Sequence, residues 1–206
     1  MEENNFEDVK AKAEQGDVRA QTNLGYMYYK GETVMLDGKE AVKWFRLAAE
    51  QGDVRAQNNL GTMYCKGERV AQDYKESVKW YRLAAEQGNA EGQYNLGNMY
   101  RNGSGVHLDC KEAMKWYRLA AQQGDAWAQN NLGNMYHNGE GVIQDKVYAH
   151  MWYNIAVSNG NELAKGNRDI VAEELTPSQL EEATRVAREF EENERGARYA
   201  ELNNKS

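Results

Sequence analysis

Residues 89–124 read NAEGQYNLGNMYRNGSGVHLDCKEAMKWYRLAAQQG, and looser copies of the same string recur at steps of 36 residues on both sides of it. Leu96-Gly97 superposes on Leu24-Gly25, Leu60-Gly61 and Leu132-Gly133, and Met99-Tyr100 on Met27-Tyr28, Met63-Tyr64 and Met135-Tyr136. Trp116 superposes on Trp44, Trp80 and Trp152, and Gly124 on Gly52, Gly88 and Gly160. A fixed period of this length marks a repeat architecture and has to be settled before any single element is read. Four full units run 17–52, 53–88, 89–124 and 125–160. Residues 1–16 read as the second half of an earlier unit, because Ala13-Glu14-Gln15-Gly16 lies 36 residues before Ala49-Glu50-Gln51-Gly52.

Within a unit the apolar residues keep a helical period. Ala20, Leu24, Met27 and Tyr28 share one face, which predicts an amphipathic helix A over 18–30. Asp17, Asp53, Asn89 and Asp125 stand where a side-chain acceptor caps a first turn, and Gly31, Gly67, Gly103 and Gly139 stand where a left-handed residue ends the helix. Helix B opens on Asp37 with Glu40, repeated as Asp73 with Glu76 and Asp109 with Glu112, the spacing of a capping box. Ala41, Trp44, Phe45, Ala48 and Ala49 form its buried stripe, and Gly52 stops it. Each hairpin leaves an apolar face that only a neighbouring copy covers, so the array is expected to grow into an all-α, right-handed superhelical solenoid of helix-turn-helix repeats. Gly25, Gly61, Gly97 and Gly133 lie inside helix A, where each costs about 1 kcal/mol relative to alanine. The expected reason is close approach of the helix B tryptophan, Trp44 and its copies.

After Gly160, residues 161–195 read as a degenerate repeat followed by a C-terminal capping helix. Thr176-Pro177-Ser178-Gln179 is a helix start, and Leu180, Ala183, Ala187 and Phe190 make one apolar stripe. Residues 196–206 are a polar tail expected to fray. The whole chain, 1–206, is thus expected to be a single solenoid.

Composition narrows the function. The 206 residues carry 25 Lys and Arg against 32 Asp and Glu, a net charge of −7, with no basic stripe. That balance argues against nucleic acid as a partner. No apolar run approaches the roughly 18 residues that cross a bilayer, and Met1 is followed by Glu2, Glu3, Asn4 and Asn5 rather than a basic and then apolar leader. The expected location is cytoplasmic as written, or periplasmic or secreted if an export signal has been removed. Cys65 and Cys110 are too few for a disulfide framework and lack zinc-site spacing.

The unit A-x-x-N-L-G-x-M-Y, G-x-G-V-x-x-D, K-E-A-x-K-W-Y-x-L-A-A-x-Q-G resembles the Sel1-like repeat, a relative of the tetratricopeptide repeat. Asn95-Leu96-Gly97, Met99-Tyr100, Gly103, Gly105-Val106, Asp109, Lys111-Glu112-Ala113 and Lys115-Trp116-Tyr117 carry nearly every letter. Thr33 and Arg69 replace the second loop glycine in the first two units. In the fourth, Tyr148 replaces the capping-box acid, and His150, Met151 and Asn154 break the Val, Lys, Arg pattern. A cysteine-rich group of such proteins carries a disulfide in each unit and is associated with β-lactam binding. Ala49, Ala85 and Ala121 with Gln57, Gln93 and Gln129 stand where those cysteines align, so that analogy does not carry over; a hydrolase or β-lactam-binding protein is the weaker, alternative reading, beside a passive structural scaffold.

No catalytic set assembles. His107, His137 and His150 fall in a loop, at the end of a helix A and in a helix B, without a second His or Cys at metal-ligand spacing, so they read as surface or interfacial side chains. Gly103-Ser104-Gly105-Val106 follows a helix, whereas a phosphate cradle follows a strand. The expectation is no enzyme, no cofactor and no metal.

The resemblance implies an interaction module instead. Positions that differ among copies fall on one face of helix A, at spacings of three and four. In tetratricopeptide arrays that face lines a concave groove and holds peptides. The residues placed there are Arg19, Tyr26, Tyr29, Arg55, Asn58, Tyr94, Asn98, Arg101, Trp127, Asn130 and His137, with arginines favouring a protein or peptide partner bearing acidic residues. Trp127 has Arg19, Arg55 and Glu91 as counterparts, so either it serves a partner or it packs on the C-terminal cap. Asn23, Asn59, Asn95 and Asn131 recur beside the groove and are read as structural amides.

Overall fold

A computed structural model describes residues 3–31 and 33–203, with the side chains of residues 3–5, 191 and 194–203 left aside. Among them every regular element is helical, in the order α1 Glu3–Glu14, α2 Val18–Lys30, α3 Gly38–Glu50, α4 Val54–Lys66, α5 Tyr74–Glu86 and α6 Ala90–Asn102. There follow α7 Cys110–Gln122, α8 Ala126–Asn138, α9 Lys146–Ser158, α10 Glu162–Glu173 and α11 Pro177–Asn203. The fold is all-α, hairpin after hairpin. It divides between Leu108 and Asp109 into two compact units, one holding α1 to α6 and one α7 to α11.

Local chemistry sets the helix ends. Asp17, Asp53, Asn89 and Asp125 each accept the backbone N–H three residues on, at 2.6, 2.8, 2.7 and 2.8 Å. Gly31, Gly67, Gly103 and Gly139 close the A helices with φ between 67° and 72°. Helix B departs from the expected capping box. Asp37 and Asp73 do cap, but their own N–H groups donate to the carbonyls of Tyr28 and Tyr64. Glu40 and Glu76 are thereby free to accept from the indole Nε1 of Trp44 and Trp80, at 3.0 and 3.2 Å. In the third copy Glu112 holds Lys115 at 2.6 Å, and the Trp116 Nε1 is buried without a partner. The reciprocal box does occur at α11, where the Thr176 N–H donates to Gln179 Oε1 at 3.0 Å and the Gln179 N–H to Thr176 Oγ1. That helix runs on through Gly196 to Asn203, past the point where a tail was expected.

The glycines inside helix A face a different aromatic from the expected one. A Cβ at Gly25 would lie 2.7 Å from Phe45, at Gly61 2.5 Å from Tyr81 and at Gly133 2.5 Å from Tyr153. Each is the residue after the helix B tryptophan. Trp44 turns instead toward Ala13, Ala20 and Leu24, and Trp80 joins Phe45, Leu60 and Met63 in the core of the 3–108 unit. Two aromatics in succession sit about 100° apart on a helix. One therefore closes the hairpin and the other binds the preceding copy.

The second loop glycine is explained by its neighbour. Gly105 has φ 73° and lies against the backbone of Tyr74, and Gly141 has φ 72° and lies 2.7 Å, from where a Cβ would stand, to the Cys110 carbonyl carbon. Arg69 holds the same left-handed conformation with a side chain, φ 65°. It fits because the residue it packs on, the counterpart of Tyr74 and Cys110, is Gly38. A contact too close for two Cβ atoms is made at these three successive loops, with the glycine on one side or the other.

In the 109–206 unit, Ala149, Tyr153 and Ala156 of α9 pack with Ala164 and Val171 of α10. Ala183 and Ala187 of α11 are buried, and Phe190 meets Trp152 edge-on at 4.9 Å. The cap is seated by the stripe read from the sequence.

Candidate interaction surface on the A helices

The second residue of the A helices α2, α4 and α8 faces solvent. Arg19 and Arg55 are exposed there, Arg55 with only a 4.0 Å approach to Asp53, and Trp127 is 52% exposed. Trp127 is therefore not sealed beneath the C-terminal cap.

One turn further on the face turns inward. Asn58 and Asn130 are 4% and 7% exposed, and neither lines a groove. Each accepts from an asparagine of the next A helix, Asn58 from Asn95 Nδ2 at 3.1 Å and Asn130 from Asn167 Nδ2 at 3.0 Å. A buried amide without such a partner would cost roughly 1–3 kcal/mol, which is why the pair is matched. Of the recurring asparagines, Asn95 is thus bonded to the preceding copy. Asn59 Nδ2 likewise donates to the Tyr26 hydroxyl at 2.7 Å, while the Tyr26 ring sits edge-on to Phe45 at 5.2 Å.

Tyr29, at the last turn, donates its hydroxyl to Glu68 Oε2 at 2.6 Å, and the Arg69 guanidinium lies over its ring at 4.9 Å. The bond to Glu68 holds the Tyr29 phenol above its ordinary range and the Glu68 carboxyl below its own. Tyr94, Asn98 and Arg101 are half-buried on the face of α6. His137, at the matching last turn of α8, lies 3.7 Å from Glu174, which Lys146 holds at 3.0 Å. Lys146 first, then His137, keeps the Glu174 carboxyl below its usual range. Of the expected groove residues, Arg19, Arg55 and Trp127 are thus exposed on first turns, whereas Tyr26, Tyr29, Asn58 and Asn130 bond to the next copy.

Sequence reading assigned the glutamines no role beyond their alignment. Gln57, Gln93 and Gln129 are buried, and each Nε2 donates to the carbonyl eight residues back, that of Ala49, Ala85 or Ala121, at 3.1, 3.2 and 2.9 Å. Gln57 Oε1 also accepts from Gln87, and Gln129 Oε1 from Asn159. A buried amide joins helix B to the next helix A at the positions where the cysteine-rich relatives are expected to carry a disulfide.

His107 is exposed, but His150 is buried on α9 where the other copies have Val42, Val78 and Met114, and its Nδ1 has no partner. Burial above all, then the charge of Arg168 against an opposing pull from Asp169, holds the imidazole below its ordinary value of 6.5. A base with a depressed folded value binds fewer protons folded than unfolded. The stability it permits is full above the unfolded value and is lost as the pH falls from there through the lowered folded one. His150→Met is expected to flatten the fall in melting temperature between about pH 7 and pH 5. Equal falls in the two proteins would refute this assignment.

Cys65 and Cys110 are half-buried free thiols. Among the described residues no cluster of three or more His, Cys, Asp and Glu is placed to hold a metal ion, and no helix is long and apolar enough to cross a membrane.

The family model described as Sel1 repeat matches residues 18–53, 54–89, 90–125 and 128–161. A protective antigen of uropathogenic Escherichia coli with an SLR fold shares 45% identity at a TM-score of 0.75, over 77% of this chain and 34% of that one. A Sel1 repeat protein from Oxalobacter formigenes shares 38% identity at a TM-score of 0.71, over 75% of this chain and 63% of the other. The secretory immunoglobulin A-binding protein EsiB of Escherichia coli is 46% identical over 44 residues, 21% of this chain and 9% of that protein. The chain thus spans a small part of EsiB and about a third of the antigen. Helicobacter pylori cysteine-rich protein B, 24% identical at a TM-score of 0.52, shares the fold.

Proposed function

The chain belongs to the Sel1 repeat family, and we propose that it works as a non-catalytic adaptor whose A-helix first turns contact a partner protein or peptide bearing acidic residues. Sel1 repeat proteins are in general protein-interaction modules. The observation that carries the finer reading is the exposed first-turn position. The repeat asks for no particular side chain there, yet it presents Arg19 and Arg55 in one unit and Trp127 in the other. Arginine and tryptophan are the residue types that concentrate binding energy at interfaces, and an exposed guanidinium matches a carboxylate in two-point geometry. Tyr26 and Tyr29 contribute less to a partner, because their hydroxyls are engaged by Asn59 and Glu68.

Affinity capture with the whole chain, beside a control carrying Arg19→Glu, Arg55→Glu and Trp127→Ala and read by mass spectrometry, tests this. A partner held by the native protein is expected to be lost from the control, with about 1–2 kcal/mol traceable to Trp127 alone. Equal recovery by both proteins, at equal melting temperature, would count against the surface.

A further inference from the structure

The fourth copy departs from the others at two positions on one face of helix B. Glu40, Glu76 and Glu112 give way to Tyr148, and Lys43, Lys79 and Lys115 to Met151. In the first two copies the glutamate accepts from the tryptophan one turn on, as Glu40 does from Trp44 and Glu76 from Trp80. Trp152 keeps the indole of the repeat without that acid. One turn back from it stands Tyr148, and both residues line a cavity of about 510 Å³, together with Arg118, Tyr136, Met151 and Phe190. That volume falls within the range of small-molecule sites, about 300–1,000 Å³.

Four aromatic rings line this cavity, beside polar side chains that include Gln122 and Asn193. Tyr136 stacks on Tyr148 at 5.3 Å, and Phe190 meets Trp152 edge-on. Arg118 is exposed and donates to the Tyr136 hydroxyl at 2.8 Å, which leaves other N–H groups of its guanidinium for a second acceptor. The acid in the lining, Glu189, is held by Arg185 at 2.7 Å. An indole N–H deprived of its carboxylate and a guanidinium, set among flat apolar rings, ask for one kind of occupant.

We propose that this cavity binds an aromatic carboxylate. The ring lies against Tyr148 and Phe190, and the carboxylate takes the place of the repeat's missing glutamate, accepting from the Trp152 N–H and from Arg118. No residue of the site belongs to the A-helix first turns, so it stands independently of the adaptor reading.

The probe is 1-naphthoate, with neutral 1-naphthamide as its control and a short peptide ending in a phenylalanine carboxylate as a second source of the same chemistry. The readout is the Trp152 indole N–H resonance of the whole chain, identified by its loss in Trp152→Phe. Naphthoate is expected to shift that resonance and naphthamide to leave it in place. Arg118→Gln should weaken binding about tenfold, the worth of one charge-assisted hydrogen bond. Tyr148→Glu restores the repeat's own acid and should abolish the shift without lowering the melting temperature. A response to the peptide as well assigns the site to chain ends; a response to naphthoate alone assigns it to free acids. An unmoved resonance, an equal response to naphthamide, or undiminished binding in Arg118→Gln overturns the proposal. Arg118 is exposed, so its variant keeps the test decisive if Tyr148→Glu does not fold.

Discussion

Alanine at Gly38 is expected to destabilise the protein by roughly 2 kcal/mol, and Arg69→Gly in the same chain to recover most of that loss. A Cβ at Gly38 would run into the Arg69 side chain and lie 2.7 Å from the Arg69 carbonyl oxygen, well inside ordinary contact. Helix α3 opens at Gly38 under the Asp37 cap, so it cannot retreat without giving up those bonds. Removing the Arg69 side chain makes the pair resemble Tyr74 with Gly105 and Cys110 with Gly141, which the fold already accommodates. Arg69→Gly alone should be close to neutral. It relieves a non-glycine residue of a left-handed conformation, worth about 1–2 kcal/mol, and surrenders the contact of the guanidinium with the Tyr29 ring, worth about 0.5–1 kcal/mol. Urea denaturation of the four proteins gives the coupling directly. A double variant no more stable than Gly38→Ala would show that the loop contact does not set the choice of glycine.

Gln57→Leu is the second large effect, expected at about 2 kcal/mol with little change in shape. Leucine fills the same space but offers nothing to the Ala49 carbonyl or to the Gln87 amide, and the site is almost fully closed, with Gln57 3% exposed. The Ala49 carbonyl keeps the Gly52 N–H at 3.0 Å, so what is lost is two hydrogen bonds of about 1 kcal/mol each, one to Ala49 and one from Gln87. Gln87→Leu should cost under about 1 kcal/mol, because Gln87 is exposed and Gln57 keeps its bond to Ala49. Similar denaturation midpoints for Gln57→Leu and the native chain would mean that the recurring amides do not join the helices energetically.

Both effects concern contacts between copies, and that is where reading from sequence stopped. The helix limits were legible: residues 18–30 were expected and Val18–Lys30 is observed, because Asp17 and Gly31 act within one turn of themselves. The face that the glycines present was legible too, but not its occupant. Trp44 and Phe45 are both aromatic and both buried, and one residue of rotation decides which of them reaches Gly25. Two of the positions read as lining a groove, Asn58 and Asn130, are buried instead. Asn58 and Asn130 vary among the copies as surface residues do, yet each is sealed by an asparagine about one repeat further on. Variation there reflects matched pairs, and one position viewed alone carries no sign of its match.

The 36-residue period, the alternation of capping acids and closing glycines, and the apolar spacing by themselves determined an all-α chain of hairpins, since each acts over a turn or two of backbone. Tertiary structure alone decided which aromatic fills each glycine notch, which side of each loop contact is the glycine, which amides are buried, and where the fourth copy opens a cavity. Those choices depend on distances between groups that stand on different helices. A linear pattern records what each residue is, while packing depends on what stands opposite it.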